Sequence, residues 1–231
     1  MSEPAAPGSR QRARVAAPAP PACVYLAAQS PRRRELLDQI GVRHRPLLPD
    51  PQEDAEALEA ERAGETPRRY VERVTRAKLA AAHERRLARG RVAAPSLCAD
   101  TVVVLGRRIL GKPRDAEDAA ATLRQLSART HRVITAVALH DGRAQRLAVS
   151  VSHVRFGRLD GPTIARYVAG GEPFGKAGAY AIQGAAAAWT AHIEGSYSGI
   201  MGLPLYETAR LQRQAGLAFQ GLPFSDGRSL M

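Results

Sequence analysis

The sequence predicts an α/β fold, and three observations carry that expectation. Strand-length β-branched or apolar runs alternate with helix-periodic segments from Val24 to Leu211. The helical segments open on capping signals: Ser30-Pro31, Thr66-Pro67, Asp115 and Asp160-Gly161-Pro162. The 231 residues are 45% hydrophobic and 24% charged, an ordinary balance for a globular chain that buries a full core in one domain, with two possible.

Taken in order, residues 1–22 are Pro, Ala, Ser and Arg without apolar period, which reads as a disordered tail. Val24–Ala27 is a first strand, and a helix then runs through Leu36, Leu37 and Ile40 to Gly41. Val42–Leu48 reads as a second strand, and Pro49–Glu61 as an acidic loop. A long helix follows with Tyr70, Val71, Val74 and Leu79 at helical spacing. Val102–Leu105 is a β-branched strand, turned at Gly106 into a short return strand at Ile109 and Leu110. The next helix shows Ala119, Leu123 and Leu126 on one face. Val133–Leu139 and Leu147–Phe156 are strands joined through Asp141-Gly142. A helix with Ile164, Tyr167 and Val168 leads to the Gly-rich loop 170–178. Ala179–Gln183 and Ala187–Ile193 read as strands, Gly195–Gly199 as a loop, and Pro204 opens a last helix. The expected domain spans 23–217, with a loose tail over 218–231.

Charge and cysteine content narrow the classes. The net charge of +12 is carried almost wholly by Arg and fits nucleic acid, an anionic membrane or a polyanionic small substrate. Aromatics are only 5% and the arginines are scattered, which argues against a nucleic-acid stripe. The apolar runs are too short to span a bilayer. Cys23 and Cys98 form neither a CxxC nor a disulfide framework, which fits a cytoplasmic protein.

Two places carry chemistry. Asp100 stands among Leu97, Cys98, Ala99 and the valine run, where a carboxylate is costly to bury without a partner. Lys112 follows the return strand, so an acid and a lysine at the two ends of a hairpin can share a cleft; the plainer alternative is a turn cap and a solvated lysine. Ser30, Arg32 and Arg33 stand where a strand enters a helix, and there backbone N–H groups, helix dipole and guanidinium forks favour an anion. The acidic loop, with Asp50, Glu53, Asp54 and Glu56, is either solvated or a source of hard-cation ligands.

Four stretches together resemble the Maf family of nucleoside triphosphate pyrophosphatases. They are Leu26-Ala27-Ala28-Gln29-Ser30-Pro31-Arg32-Arg33, Ala99-Asp100-Thr101-Val102-Val103 with Gly111-Lys112-Pro113, Leu126-Ser127 through Thr135, and Gly175-Lys176-Ala177-Gly178 through Gln183-Gly184 with Gly195-Ser196-Tyr197 and Gly202-Leu203-Pro204. The resemblance covers roughly residues 23–212. Ala28 departs from it where the family usually has Ser, and Arg129 where a Gly is common.

The resemblance implies an elongated mixed sheet with flanking helices and a deep central cleft, related in shape to the inosine triphosphate pyrophosphatases. It implies hydrolysis of a nucleoside triphosphate to the monophosphate and pyrophosphate, with Mg²⁺ or Mn²⁺, and it admits a homodimer. The Ala-Asp-Thr and Ile-Gln-Gly forms are those of the subgroup acting on dTTP and UTP. On that footing Asp100 is the catalytic acid position, as general base or metal ligand, with Glu53 as the second metal candidate. Lys78, Lys112, Ser30, Arg33 and Lys176 hold phosphates, and Arg32, Thr101 and Gln183 select the base. Gln183 carries both amide donors and an acceptor, which suits the imide edge of uracil or thymine. The rival expectations are another base preference, a non-enzymatic regulator of septum formation, and a nucleic-acid binder.

Overall fold

The computed structural model describes residues 23–54 and 57–217. Both expected tails therefore lie outside the described residues. The chain runs β1 (Val24–Leu26), α1 (Pro31–Gln39), β2 (His44–Pro46), α2 (Pro67–Ala88), β3 (Ser96–Leu105), β4 (Arg108–Leu110) and α3 (Ala116–Leu126). It continues with β5 (Thr130–His140), β6 (Gln145–Phe156), α4 (Gly161–Ala169), β7 (Thr190–Glu194), α5 (Tyr197–Met201) and α6 (Leu205–Gln214). The strands form one mixed sheet in the order β2-β1-β3-β5-β6-β7, with β4 folded back on β3. β1 runs parallel to β2 and β3, and the remaining pairs are antiparallel.

The capping signals fold as their chemistry dictates. The Thr66 hydroxyl accepts from the Arg69 N–H, and the carboxylates of Asp115 and Asp160 accept from the N–H groups of Asp118 and Thr163. Helix α2 buries Tyr70, Val71 and Val74 on a sheet face made by Val102, Val104, Ile134 and Ala136. The opposite face carries a second cluster, in which Val103, Val133, Val154 and Phe156 pack against α3, α4 and the loops after them.

Five expectations are corrected, the first being that the expected loop Gly195–Gly199 is helical from Tyr197, where α5 begins. The segment 42–48 is strand only over His44–Pro46. Ala179–Gln183 forms no strand: Ala177–Ala179 is a 3₁₀ turn with Gly178 at φ 70° and Ala179 at φ 59°, a left-handed pair that cannot extend. The expected strand Ala187–Ile193 is 3₁₀ over Ala185–Trp189 before β7 begins. Finally, β3 starts at Ser96, so Asp100 sits in mid-strand rather than at a hairpin end, and the turn-cap alternative for it falls away.

One irregularity positions everything else. Along one edge, β1 pairs with β3 at Ser96 and Leu97, and β4 pairs with it from Val103 onward. Between these neighbours the edge of β3 opens into a gap, while its other edge stays paired to β5 from Ser96 to Val104. The carbonyls of Pro95 and Leu97 accept from Tyr25 and Ala27. By strand alternation, the peptide groups of Ala99 and Thr101 turn to the same side, into the gap.

Candidate active site

A cavity of about 710 Å³ opens at this gap, within the size range of small-molecule sites. Because the sheet is interrupted there, side chains from both of its faces reach the same space. Asp100 comes from the α2 face and Thr101 from the other, and both line the cavity. The other eight residues to which the resemblance assigns a role, from Ser30 to Gln183, line it as well.

On the α2 face the charges form a chain. The Lys78 ammonium donates to Asp100 Oδ1 at 2.8 Å and to Glu59 Oε1 at 2.6 Å, and Glu59 Oε2 lies 3.7 Å from Lys112 Nζ. Burial pulls the Lys78 ammonium down, but Asp100 and Glu59 outweigh it and leave the group raised above the ordinary lysine value. Burial likewise pushes Glu59 up, and Lys78 and Lys112 together bring it below the ordinary carboxylate value. Lys78 is 19% exposed and Lys112 60%, so the first is an enclosed cation and the second reaches into solvent.

Glu59 escapes the sequence reading because it is one acid of several in the loop. Its placement is nonetheless built. The Tyr70 hydroxyl donates to the Glu59 carbonyl at 2.8 Å, and Arg73 donates to the carbonyls of Leu58 and Ala60. Burial, with Asp100 and Glu59 close by, pushes the Tyr70 phenol up to about 12, so it stays a donor. The readable signal is a complementarity: acids at 50, 53, 59 and 65 pair with Arg89, Arg85, Lys78 and Arg73 along α2.

Glu53 belongs to that same clasp. Its carboxylate is gripped by Nε and Nη2 of Arg85, whose Nη1 donates to the Leu47 carbonyl. The Arg85 hydrogen bond, foremost, holds Glu53 down at about 2. Glu53 thus lines the cavity with its oxygens bound to an arginine, whereas Glu59 is the acid that shares a lysine with Asp100.

The opposite wall is made by α1 and α5. Ser30 occupies the N-cap position of α1 without a side-chain capping bond, which leaves its hydroxyl to the cavity. Arg32 and Arg33 donate through Nε to the carbonyls of Met201 and Gly202, at 3.3 and 2.8 Å, so each guanidinium is oriented at its neck. Burial, then the neighbouring Arg33, lowers Arg32. Lys176 curls back to donate to the carbonyls of Glu172 and Phe174, and burial with Arg32 nearby lowers it too. The loop carrying Lys176 and Gln183 is tied down through Glu172, which accepts from the Tyr167 hydroxyl and the Ala185 N–H. Among the described residues, no three acids, histidines or cysteines gather as a ready-made metal site.

Comparison with known proteins adds the following. The family model for Maf-like protein matches residues 23–215. A protein of Cupriavidus metallidurans named dTTP/UTP pyrophosphatase is 60% identical over 196 residues, covering 85% of this chain and 98% of its own. Proteins of the same name from Ralstonia nicotianae and Polaromonas sp. are 61% and 59% identical, covering 86% and 84% of this chain and 97% and 96% of theirs. Among solved structures, the Ham1 protein of Staphylococcus aureus matches at 11% identity and a TM-score of 0.36, over 58% of this chain and 71% of that one, a likeness too weak to carry an argument.

Proposed function

The chain belongs to the Maf-like protein family, and on that premise we propose that it hydrolyses nucleoside triphosphates, dTTP and UTP in preference, to the monophosphate and pyrophosphate. It is a hydrolase of acid anhydrides, and its place is the removal of unwanted triphosphates from the nucleotide pool. The observation that carries the reading is the mid-strand Asp100 at the gap in the sheet, held by Lys78 and faced by Arg32 and Arg33 across one cavity.

The work of such a site is mostly positioning and charge neutralisation of a polyanion. Ser30, Arg33, Lys78, Lys112 and Lys176 hold phosphate oxygens, the arginine by its fork and the lysines as point charges. Lys78 binds one oxygen of Asp100 and so sets the plane of the carboxylate. Asp100 takes the proton of the attacking water as the bond from the α-phosphorus to the leaving pyrophosphate breaks. Arg32, Thr101 and Gln183 face the base.

The oxygen donors at Asp100 and Glu59, with Glu53 beyond them, suit Mg²⁺ or Mn²⁺. Such an ion keeps much of its water and is held by one or two carboxylates plus phosphate oxygens, which a site without three gathered protein ligands requires. When bound, it supplies charge neutralisation at the reacting phosphoryl group. Glu53 joins that set only on release from Arg85. A cytoplasmic setting fits the free Cys23 and Cys98, and no described helix is long and apolar enough to cross a membrane.

The test is purified protein with Mg²⁺ or Mn²⁺ and a panel of nucleoside triphosphates, read for pyrophosphate. Pyrophosphate from dTTP and UTP is the expected result. Release of single phosphate, preference for a purine, or salt-sensitive DNA retention without turnover overturns the reading.

A further inference from the structure

Tyr167 stands where three segments of the chain meet. Its ring, 7% exposed in α4, packs edge-on against Trp189 with the centroids 4.7 Å apart. Its hydroxyl donates to Glu172 Oε1 at 2.8 Å and accepts from the Ala181 N–H at 3.2 Å. The other carboxylate oxygen, Glu172 Oε2, accepts from the Ala185 N–H at 3.1 Å. Ala181 and Ala185 stand two residues before and two residues after Gln183, so the backbone on both sides of the glutamine ends on one tyrosine–glutamate pair.

The chemistry of the pair suits that task. Burial, then the bond to Glu172, raises the Tyr167 phenol above its ordinary value, so the proton stays on Tyr167 and the oxygen keeps its lone pairs for Ala181. A Cβ on Gly184 would lie 2.1 Å from Glu172 Oε1 and 2.5 Å from Cδ, so the carboxylate occupies space that any side chain at 184 would take. Gln183 is itself exposed and lines the cavity, and among the described residues nothing hydrogen-bonds its amide. The place of that amide is therefore set by the backbone that carries it.

The Lys176 end of the same loop is fastened in another way. The Gly178 N–H donates to the Gly111 carbonyl at 3.0 Å, and the Ala179 N–H to the Lys176 carbonyl at 3.1 Å. The Lys176 ammonium donates to the main-chain carbonyl of Glu172, not to its carboxylate. Main-chain bonds thus hold the phosphate-side lysine, and the Tyr167–Glu172 pair holds the glutamine.

We propose that Glu172 is a positioning residue for base recognition, which acts through Gln183 by fixing the backbone at Ala181 and Ala185 and leaves the phosphate end of the site alone. This rests on the reading of the cavity as a nucleoside triphosphate site in which Gln183 faces the base. A site built to hydrogen-bond its ligand loses selectivity when the bonding group is displaced, even if the rest of the cavity is intact.

The experiment measures affinity by calorimetry with Mg²⁺ present, using the α,β-methylene analogue of UTP and, as a probe without a base, inorganic triphosphate. The proteins are wild type, Glu172→Gln, Gln183→Ala and the double variant. Glutamine at 172 keeps the shape of the side chain but sets an NH₂ group against one of the two donors. Glu172→Gln is expected to lower affinity for the UTP analogue about tenfold. It should raise KM for UTP with kcat held, while inorganic triphosphate binds as before. In the Gln183→Ala background the same substitution should add nothing. A merely structural Glu172 would weaken both ligands together or add its loss to that of Gln183→Ala, and either result overturns the proposal. So does unchanged affinity for the analogue in folded Glu172→Gln. Should that variant fail to fold, Tyr167→Phe, which keeps the ring against Trp189, is held to the same outcomes. Gln183→Ala that binds the UTP analogue as wild type does overturns the proposal together with the base role of Gln183, and pyrophosphate release in the nucleotide panel decides the hydrolase separately. Selective loss of analogue affinity through Gln183 in a protein that releases no pyrophosphate supports the positioning role and overturns the hydrolase.

Discussion

Asp100 is the residue on which the proposed chemistry turns. Asp100→Asn keeps the shape of the side chain but removes the proton acceptor and the charge facing Lys78. Turnover with saturating dTTP and Mg²⁺ is expected to fall about 10²–10⁴-fold, with nucleotide affinity retained. Retention of more than about a tenth of the activity would place Asp100 outside the reaction, since even the low end of that range is larger. Loss of metal-dependent binding along with turnover would make it a metal ligand first. Its importance is legible in the sequence, because a lone carboxylate amid Leu97, Cys98, Ala99 and valines demands a partner. The identity of that partner is not legible, for Lys78 lies 22 positions away on another element. Glu53 and Glu59 make the same point in reverse. Composition sees an acidic loop, and only the folded helix decides which acid meets a buried arginine and which one shares the lysine with Asp100.

Among the elements, the helices are the most legible and the irregular segments the least. A helix start is a local event of cap and proline, so Thr66-Pro67 and Asp160-Gly161-Pro162 can be read where they stand. The stretch after Lys176 misleads because its Ala-Tyr-Ala-Ile pattern has the apolar character of a strand, while its shape is set by contact with β3. A Cβ on Gly178 would lie 2.8 Å from Cβ, Cγ1 and Cγ2 of Val103, and the residue sits at φ 70°. Gly178→Ala is therefore expected to cost about 1–3 kcal/mol in chemical denaturation. It is also expected to raise KM, since the turn it displaces carries Lys176 and leads to Gln183. Val103→Ala in the same chain removes Cγ1 and Cγ2 but leaves the Cβ contact and the backbone angle, so the rescue should be partial. Full recovery in the double variant would mean that the φ angle contributes little.

Across the whole molecule, one buried group ties stability to pH. His131 is 1% exposed between Phe156 and Tyr180, and burial holds its imidazole down at about 4. The unfolded chain takes up that proton near 6.5. Between the two values the unfolded state binds more protons, so this contribution is complete above about 6.5 and drains away as the pH falls to about 4. The total is roughly 3 kcal/mol, of which about 2 kcal/mol is lost between pH 7.5 and 5, where denaturation midpoints read it. His131→Phe should flatten the difference, and an unchanged slope in that variant would assign it to other groups. At this scale the gap along β3 has a further consequence. An open strand edge is ordinarily a template on which a second chain can add, the first step of edge-to-edge aggregation. Here the edge is sunk in a cleft whose walls carry Lys78, Lys112, Arg32 and Arg33. Charged side chains are the device by which sheet proteins keep such edges from pairing. The cations proposed to hold a triphosphate would therefore also bar a polypeptide, and substitutions that neutralise them are expected to expose the chain to self-association as well as to loss of turnover.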